Sequence, residues 1–165
     1  MLEGRNVMNI YYRCCEKENT ISHVQRYNDL SKKTILRYCF SSLVKQITAE
    51  DNIIVIHDEV CENTLDWMEK QLSIGLVNFV RVPVHNWEYH QHTVVLVEEL
   101  EKRLENEKTL NFLVEDDYLF KNNALSTIRS LENLYDGFFV PYDYPDRYRF
   151  PEKSQIVLGP TCHWR

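Results

Sequence analysis

The chain has 165 residues, 44% of them hydrophobic and 27% charged, with a formal net charge of −6. These are the proportions of a folded globular domain long enough to bury a core. The acidic balance disfavours a duplex nucleic-acid binder, which needs a basic footprint, and no apolar run approaches the roughly 20 residues that span a bilayer.

Charges occupy the N-terminal stretch "MLEGRNVMNIYYRCC", where a secretory signal would carry its apolar region. The five cysteines, Cys14, Cys15, Cys39, Cys61 and Cys162, are odd in number and contain no CxxC pair. Both features lead to the expectation of reduced thiols in a cytoplasmic protein.

The chain alternates short β-type runs with longer helical ones. Residues 6–12, "NVMNIYY", predict a first strand. Residues 32–47 follow as an amphipathic helix, with Ile35, Leu36, Cys39, Phe40, Leu43, Val44 and Ile47 recurring at helical spacing. Residues 52–59, "NIIVIHDE", form a near-continuous β-branched run, as expected of a strand covered on both faces. Residues 63–72 predict a helix with Asn63 or Thr64 as N-cap and Gly75 just past its end. A third strand is predicted over 77–84, with Pro83 marking its exit, and a helix over 92–107 with Leu96, Leu100 and Leu104 as its stripe. A fourth strand at 109–114, a helix at 122–134 burying Leu125, Ile128, Leu131 and Leu134, and a fifth strand at 137–144 complete the pattern. Five strands separated by four helices predict an α/β domain with a mainly parallel sheet flanked by helices.

In open α/β sheets ligands bind beyond the carboxyl ends of the strands. Polar residues collect at those ends: Arg13 after the first strand, His57, Asp58 and Glu59 after the second, "HNWEYHQH" after the third, Glu115, Asp116 and Asp117 after the fourth, and "YDYPDRY" after the fifth. Strand alternation would place Glu115 and Asp117 on one side and Asp116 on the other. Two carboxylates on one side favour a hard divalent cation, Mg²⁺ or Mn²⁺, able to bridge a diphosphate. The plain alternative is an acidic strand end approaching a helix N-terminus. Glu88, His90 and His92 have a weaker metal-ligand spacing in a polar segment.

Four features in order, "IYYR", "IIVIHDE" with "TLDWMEK", "FLVEDDYLF" with "NNALSTIRSLENLYDGFF", and "PYDYPDRY" with "TCHWR", resemble the small GT-A glycosyltransferases of large DNA viruses and some bacteria. The resemblance covers nearly the whole chain and implies one Rossmann-like, nucleotide-sugar-binding domain over 1–165. It implies Asp117 as direct metal ligand, with Glu115 also at the metal, and Glu115 and Asp116 near the ribose and donor sugar. Arg13 and Asp58 would contact the nucleotide, and His163 would complete the metal site; a surface histidine is the alternative there. Tyr142, Tyr144 and Tyr148 offer flat faces for acceptor sugars, and either Asp143 or Asp146 would take the acceptor's proton, although a proline turn packed by aromatics accounts for the same residues. The partners implied are a nucleotide-sugar donor and a glycan or glycoprotein acceptor. Members of this family continue beyond the histidine-tryptophan stretch, so the expectation is either a piece of a longer chain or a shortened member, with part of the acceptor side missing in each case.

Two other readings use the same carboxylates. A metal-dependent phosphohydrolase or nucleotidyltransferase is disfavoured because the 4 glycines, at 4, 75, 137 and 159, form no phosphate-cradling loop. A non-catalytic sugar-nucleotide-binding domain fits a shortened acceptor side.

Overall fold

The computed structural model describes residues 7–16, 30–72, 78–84, 91–103, 109–131, 157–158 and 163–164. In chain order they form β1 (Met8–Cys15), α1 (Lys32–Val44), β2 (Asn52–Asp58), α2 (Glu62–Gln71), β3 (Asn78–Pro83), α3 (Gln91–Glu101), β4 (Leu110–Glu115), α4 (Ala124–Leu131), β5 (Val157–Leu158) and β6 (His163–Trp164). The chain divides into two compact units, Met1–Leu125 and Ser126–Arg165. The first holds a four-stranded sheet in the order β3-β2-β1-β4, every pairing parallel; the second holds the antiparallel pair β5-β6. The α/β class is as expected, with four strands in the main sheet among the described residues. The predicted fifth strand at 137–144 lies outside them.

β1 and β2 are central, and Ile53, Ile54, Val55 and Ile56 are fully buried because helices cover both faces. On one face Tyr12 meets Phe40 of α1 edge-on at 5.2 Å, and Phe40 meets Trp67 of α2 at 6.0 Å. On the other, Tyr11, Ile54, Ile56 and Val84 pack with Val80, Val82 and the α3 residues Val95, Leu96 and Leu100. Thus α1 and α2 lie on one face and α3 on the other. The strand order requires this. β1 to β3 advance in one direction, β4 returns to the far side of β1, and crossovers of constant hand must then use the opposite face.

Several boundaries differ from expectation. β1 runs on to Cys15, because Arg13, Cys14 and Cys15 still pair with Ile56, His57 and Asp58. Arg13 therefore belongs to the strand. Glu115 likewise ends β4 inside the sheet, opposite Arg13. The N-cap of α2 is Cys61, whose backbone carbonyl accepts from Thr64 and Leu65, in place of Asn63 or Thr64; both of those lie within the helix. α1 starts as the pattern implies, with the Ser31 hydroxyl accepting from the Thr34 N–H.

Asparagines, unfavourable in strands by propensity, align across the amino end of the sheet. Asn52 donates to Asn9 at 2.8 Å, Asn9 donates to Asn111 at 3.1 Å, and the Tyr11 hydroxyl donates to the same Asn111 oxygen at 3.1 Å. The register Asn52↔Asn9↔Asn111 makes this ladder possible and is held by it.

Candidate functional site

The order β3-β2-β1-β4 reverses direction between β1 and β4, so the topological switch point lies beyond their carboxyl ends. Arg13, Cys15 and Glu16 arrive there from β1, and Glu115, Asp116 and Asp117 from β4. The acidic triplet therefore occupies the crevice where this class of sheet binds ligands.

The three carboxylates have different surroundings. Glu115 contacts Arg13 across the paired strands, Oε1 against Nη2, with the two side chains 47% and 35% exposed. Asp116 is buried. Its Oδ1 lies 2.5 Å from Lys32 Nζ at the start of α1, and its Oδ2 accepts the Cys15 N–H at 2.9 Å. Asp117 is exposed. The like charges are thus opposed in large part by the chain's own cations.

Strand alternation does not carry through the triplet. β4 stops at Glu115, and the Tyr118 N–H returns to the Glu115 carbonyl at 3.4 Å. The Phe120 N–H then donates to Ser42 of α1 at 3.0 Å, and Phe120 packs edge-on against Phe112. This bend carries Asp116 to Lys32 of α1. The charges of Asp116 and Asp117 both bear on Tyr12 of β1 and on Cys39 of α1. Burial above all, with those charges added, raises the Cys39 thiol to about 11 and the Tyr12 hydroxyl well above its usual range. The expected alternation within the triplet therefore ends at Glu115, which meets Arg13, while Asp116 meets Lys32 and the Cys15 N–H.

Asp58, at the carboxyl end of β2, is buried and stands opposite Cys15. After it the chain turns through Glu59, whose φ of 46° is a left-handed conformation that costs a glutamate about 1–2 kcal/mol. Residues absent from the sequence-level site complete this edge. Glu16 accepts from the Cys61 N–H at 2.8 Å, from the Thr64 hydroxyl at 2.9 Å and from Lys33 at 2.9 Å. Burial works against its charge, but these donors outweigh it and hold the carboxyl at about 2. Lys32, Lys33 and Glu16 gave no distinctive signal in the sequence. Each reads as a solvated charge flanking an element, and only the fold shows which charges meet.

Hard carboxylate oxygens fit Mg²⁺ or Mn²⁺ in kind. Of the triplet, Asp116 is committed to Lys32 and a backbone N–H, which leaves Asp117, exposed, and Glu115, shared with Arg13, as the oxygens a cation could reach. No group of three or more His, Cys, Asp or Glu able to hold a metal occurs among the described residues. The fit is thus to a cation held by one or two protein carboxylates, with substrate phosphate and water supplying the rest. His163 lies in β6, within the second unit. Asp143 and Asp146, and likewise Glu88 and His90, lie outside the described residues. Cys14, Cys39 and Cys61 are free thiols, and no helix among the described residues is long and apolar enough to cross a membrane. A scan against protein-family models, a search of curated proteins and a search of solved structures find no match to this chain.

Proposed function

We propose that the chain is a metal-dependent, GT-A-type glycosyltransferase that moves a sugar from a nucleotide-sugar donor to a hydroxyl of a glycan or glycoprotein. The observation that carries this reading is the reversal of strand order between β1 and β4, which brings Arg13 and the acidic triplet together at a ligand-binding crevice. Arg13 presents a planar, permanently charged donor fork suited to phosphate. Asp58 stands at the neighbouring strand end to accept from base or ribose donors. Asp116, held by Lys32 and Cys15, fixes the shape of the crevice near the ribose and donor sugar. Asp117, with Glu115, would hold Mn²⁺ or Mg²⁺. When bound, that ion neutralises charge on the departing nucleoside diphosphate. Asp143 or Asp146 takes the proton from the acceptor hydroxyl.

A second reading, a sugar-nucleotide-binding domain without turnover, is favoured by one observation: Glu115 and Asp116 already have cationic partners within the chain. Thermal unfolding with nucleoside diphosphates and nucleotide sugars, with and without Mn²⁺, separates the two. A ligand at 100 times its Kd adds about 2.7 kcal/mol of stability. A Mn²⁺-dependent shift accompanied by sugar turnover is expected. A metal-independent shift without turnover establishes the binding domain in its place, and no shift with any nucleotide rejects both.

A further inference from the structure

The two ion pairs at the switch point differ in a way that bears on how ligands enter it. Lys32–Asp116 is enclosed, with side chains 17% and 8% exposed, and Asp116 has a second donor in the Cys15 N–H. Arg13–Glu115 is open, at 35% and 47%, and joins residues directly opposite in adjacent strands. An enclosed pair with an extra hydrogen bond is expensive to separate, whereas a half-exposed pair, screened by water, costs little to open. Ligands arriving at the crevice can therefore take the partners of the second pair and leave the first intact.

We propose that Arg13–Glu115 is an exchangeable pair: each residue blocks the other from a ligand of opposite charge, a diphosphate anion for Arg13 and a divalent cation for Glu115. This deepens the functional reading above and rests on its placement of anion and cation at this crevice. The physical consequence is reciprocal coupling. Whichever ligand binds first breaks the pair, and the second then binds without that cost. Each residue is thus both a contact for one ligand and a restraint on the other. A pair that served only to join two strands would lack this property.

The test uses each ligand alone, so that direct metal–phosphate bonding cannot imitate the coupling. Mn²⁺ without nucleotide is titrated by electron paramagnetic resonance into the wild type, Arg13→Gln and, as a control for loss of one positive charge, Lys70→Gln, exposed on α2. Pyrophosphate without metal is titrated by calorimetry into the wild type, Glu115→Gln and, as a charge control away from the crevice, Glu50→Gln, which is exposed. Arg13→Gln should tighten Mn²⁺ binding by about 2- to 5-fold, the equivalent of an exposed ion pair. Glu115→Gln should tighten pyrophosphate binding by a similar factor, with each control showing a smaller gain. Equal affinities in the paired variants and their controls overturn the exchange. An absence of Mn²⁺ binding in wild type and Arg13→Gln alike overturns it too; if nucleotides with Mn²⁺ still raise the melting temperature, the functional reading stands without it.

Discussion

Lys32 Nζ and Asp116 Oδ1 stand 2.5 Å apart across 84 residues of sequence, joining the first turn of α1 to the end of β4 beside the switch point. Removing one partner of such an enclosed pair strands a charge in poor solvent. Lys32→Met should destabilise the fold by about 2–4 kcal/mol, measured as a shift in the urea midpoint at unchanged slope. Lys32→Met combined with Asp116→Asn should recover part of that loss, because the amide oxygen can still accept the Cys15 N–H. A double variant no more stable than Lys32→Met alone contradicts this account.

Asp117 is exposed, and its replacement should leave folding within about 0.5 kcal/mol of the wild type. Under the proposed function, Asp117→Asn should abolish the Mn²⁺ dependence of the nucleotide-induced thermal shift. Survival of that dependence removes Asp117 as the metal ligand.

Glu16 makes stability depend on pH below the neutral range. Its carboxyl is held at about 2, below the usual 4.5, although burial alone would raise it, because Cys61, Lys33 and Thr64 donate to it. A depressed folded-state value contributes its stability in full above the unfolded value and loses it as pH falls from about 4.5 toward 2. At about 1.4 kcal/mol per unit, discounted because Lys33 is solvent-exposed, the loss should be about 1–2 kcal/mol. Urea unfolding of wild type and Glu16→Gln between pH 2 and 6 should give curves that converge at the acid end. Parallel curves count against the assignment.

The asparagine ladder predicts an energetic penalty where sequence propensity predicts a gain. Asn9→Val improves strand propensity, yet it removes two inter-strand hydrogen bonds from a residue only 4% exposed. The expected result is a loss of about 1–3 kcal/mol in chemical denaturation, and a stabilised variant would show that the ladder contributes nothing.

Thiol chemistry should follow exposure. Cys14 is buried, with its thiol raised well above the ordinary range by desolvation; Cys39 is also buried and lies at about 11. Cys61 is exposed beside Lys33. Iodoacetamide labelling followed by peptide mass analysis should therefore modify Cys61 well before Cys14 or Cys39. Labelling of Cys39 at a comparable rate is the contrary result.

Element type was legible wherever one periodicity dominated. Ile53 to Ile56 form an apolar run that only a doubly covered strand can use, and Leu36, Phe40 and Leu43 mark one helical face. Boundaries were less legible. Arg13, Cys15 and Glu115 are polar or small residues retained in strands because neighbouring strands pair with them, which local pattern does not record.

The α/β alternation, the apolar faces that bury the sheet, and the collection of charged residues at strand ends follow from local pattern. Periodicity and the cost of burying polar groups act locally, so these features are readable in a linear string. Which charges meet was decided by tertiary structure alone. Strand order puts β4 beside β1, register sets Glu115 against Arg13, and the bend after β4 carries Asp116 to Lys32. Coulombic pairing and hydrogen bonding depend on distances of a few ångströms between residues far apart in the chain, and only the folded sheet specifies those distances.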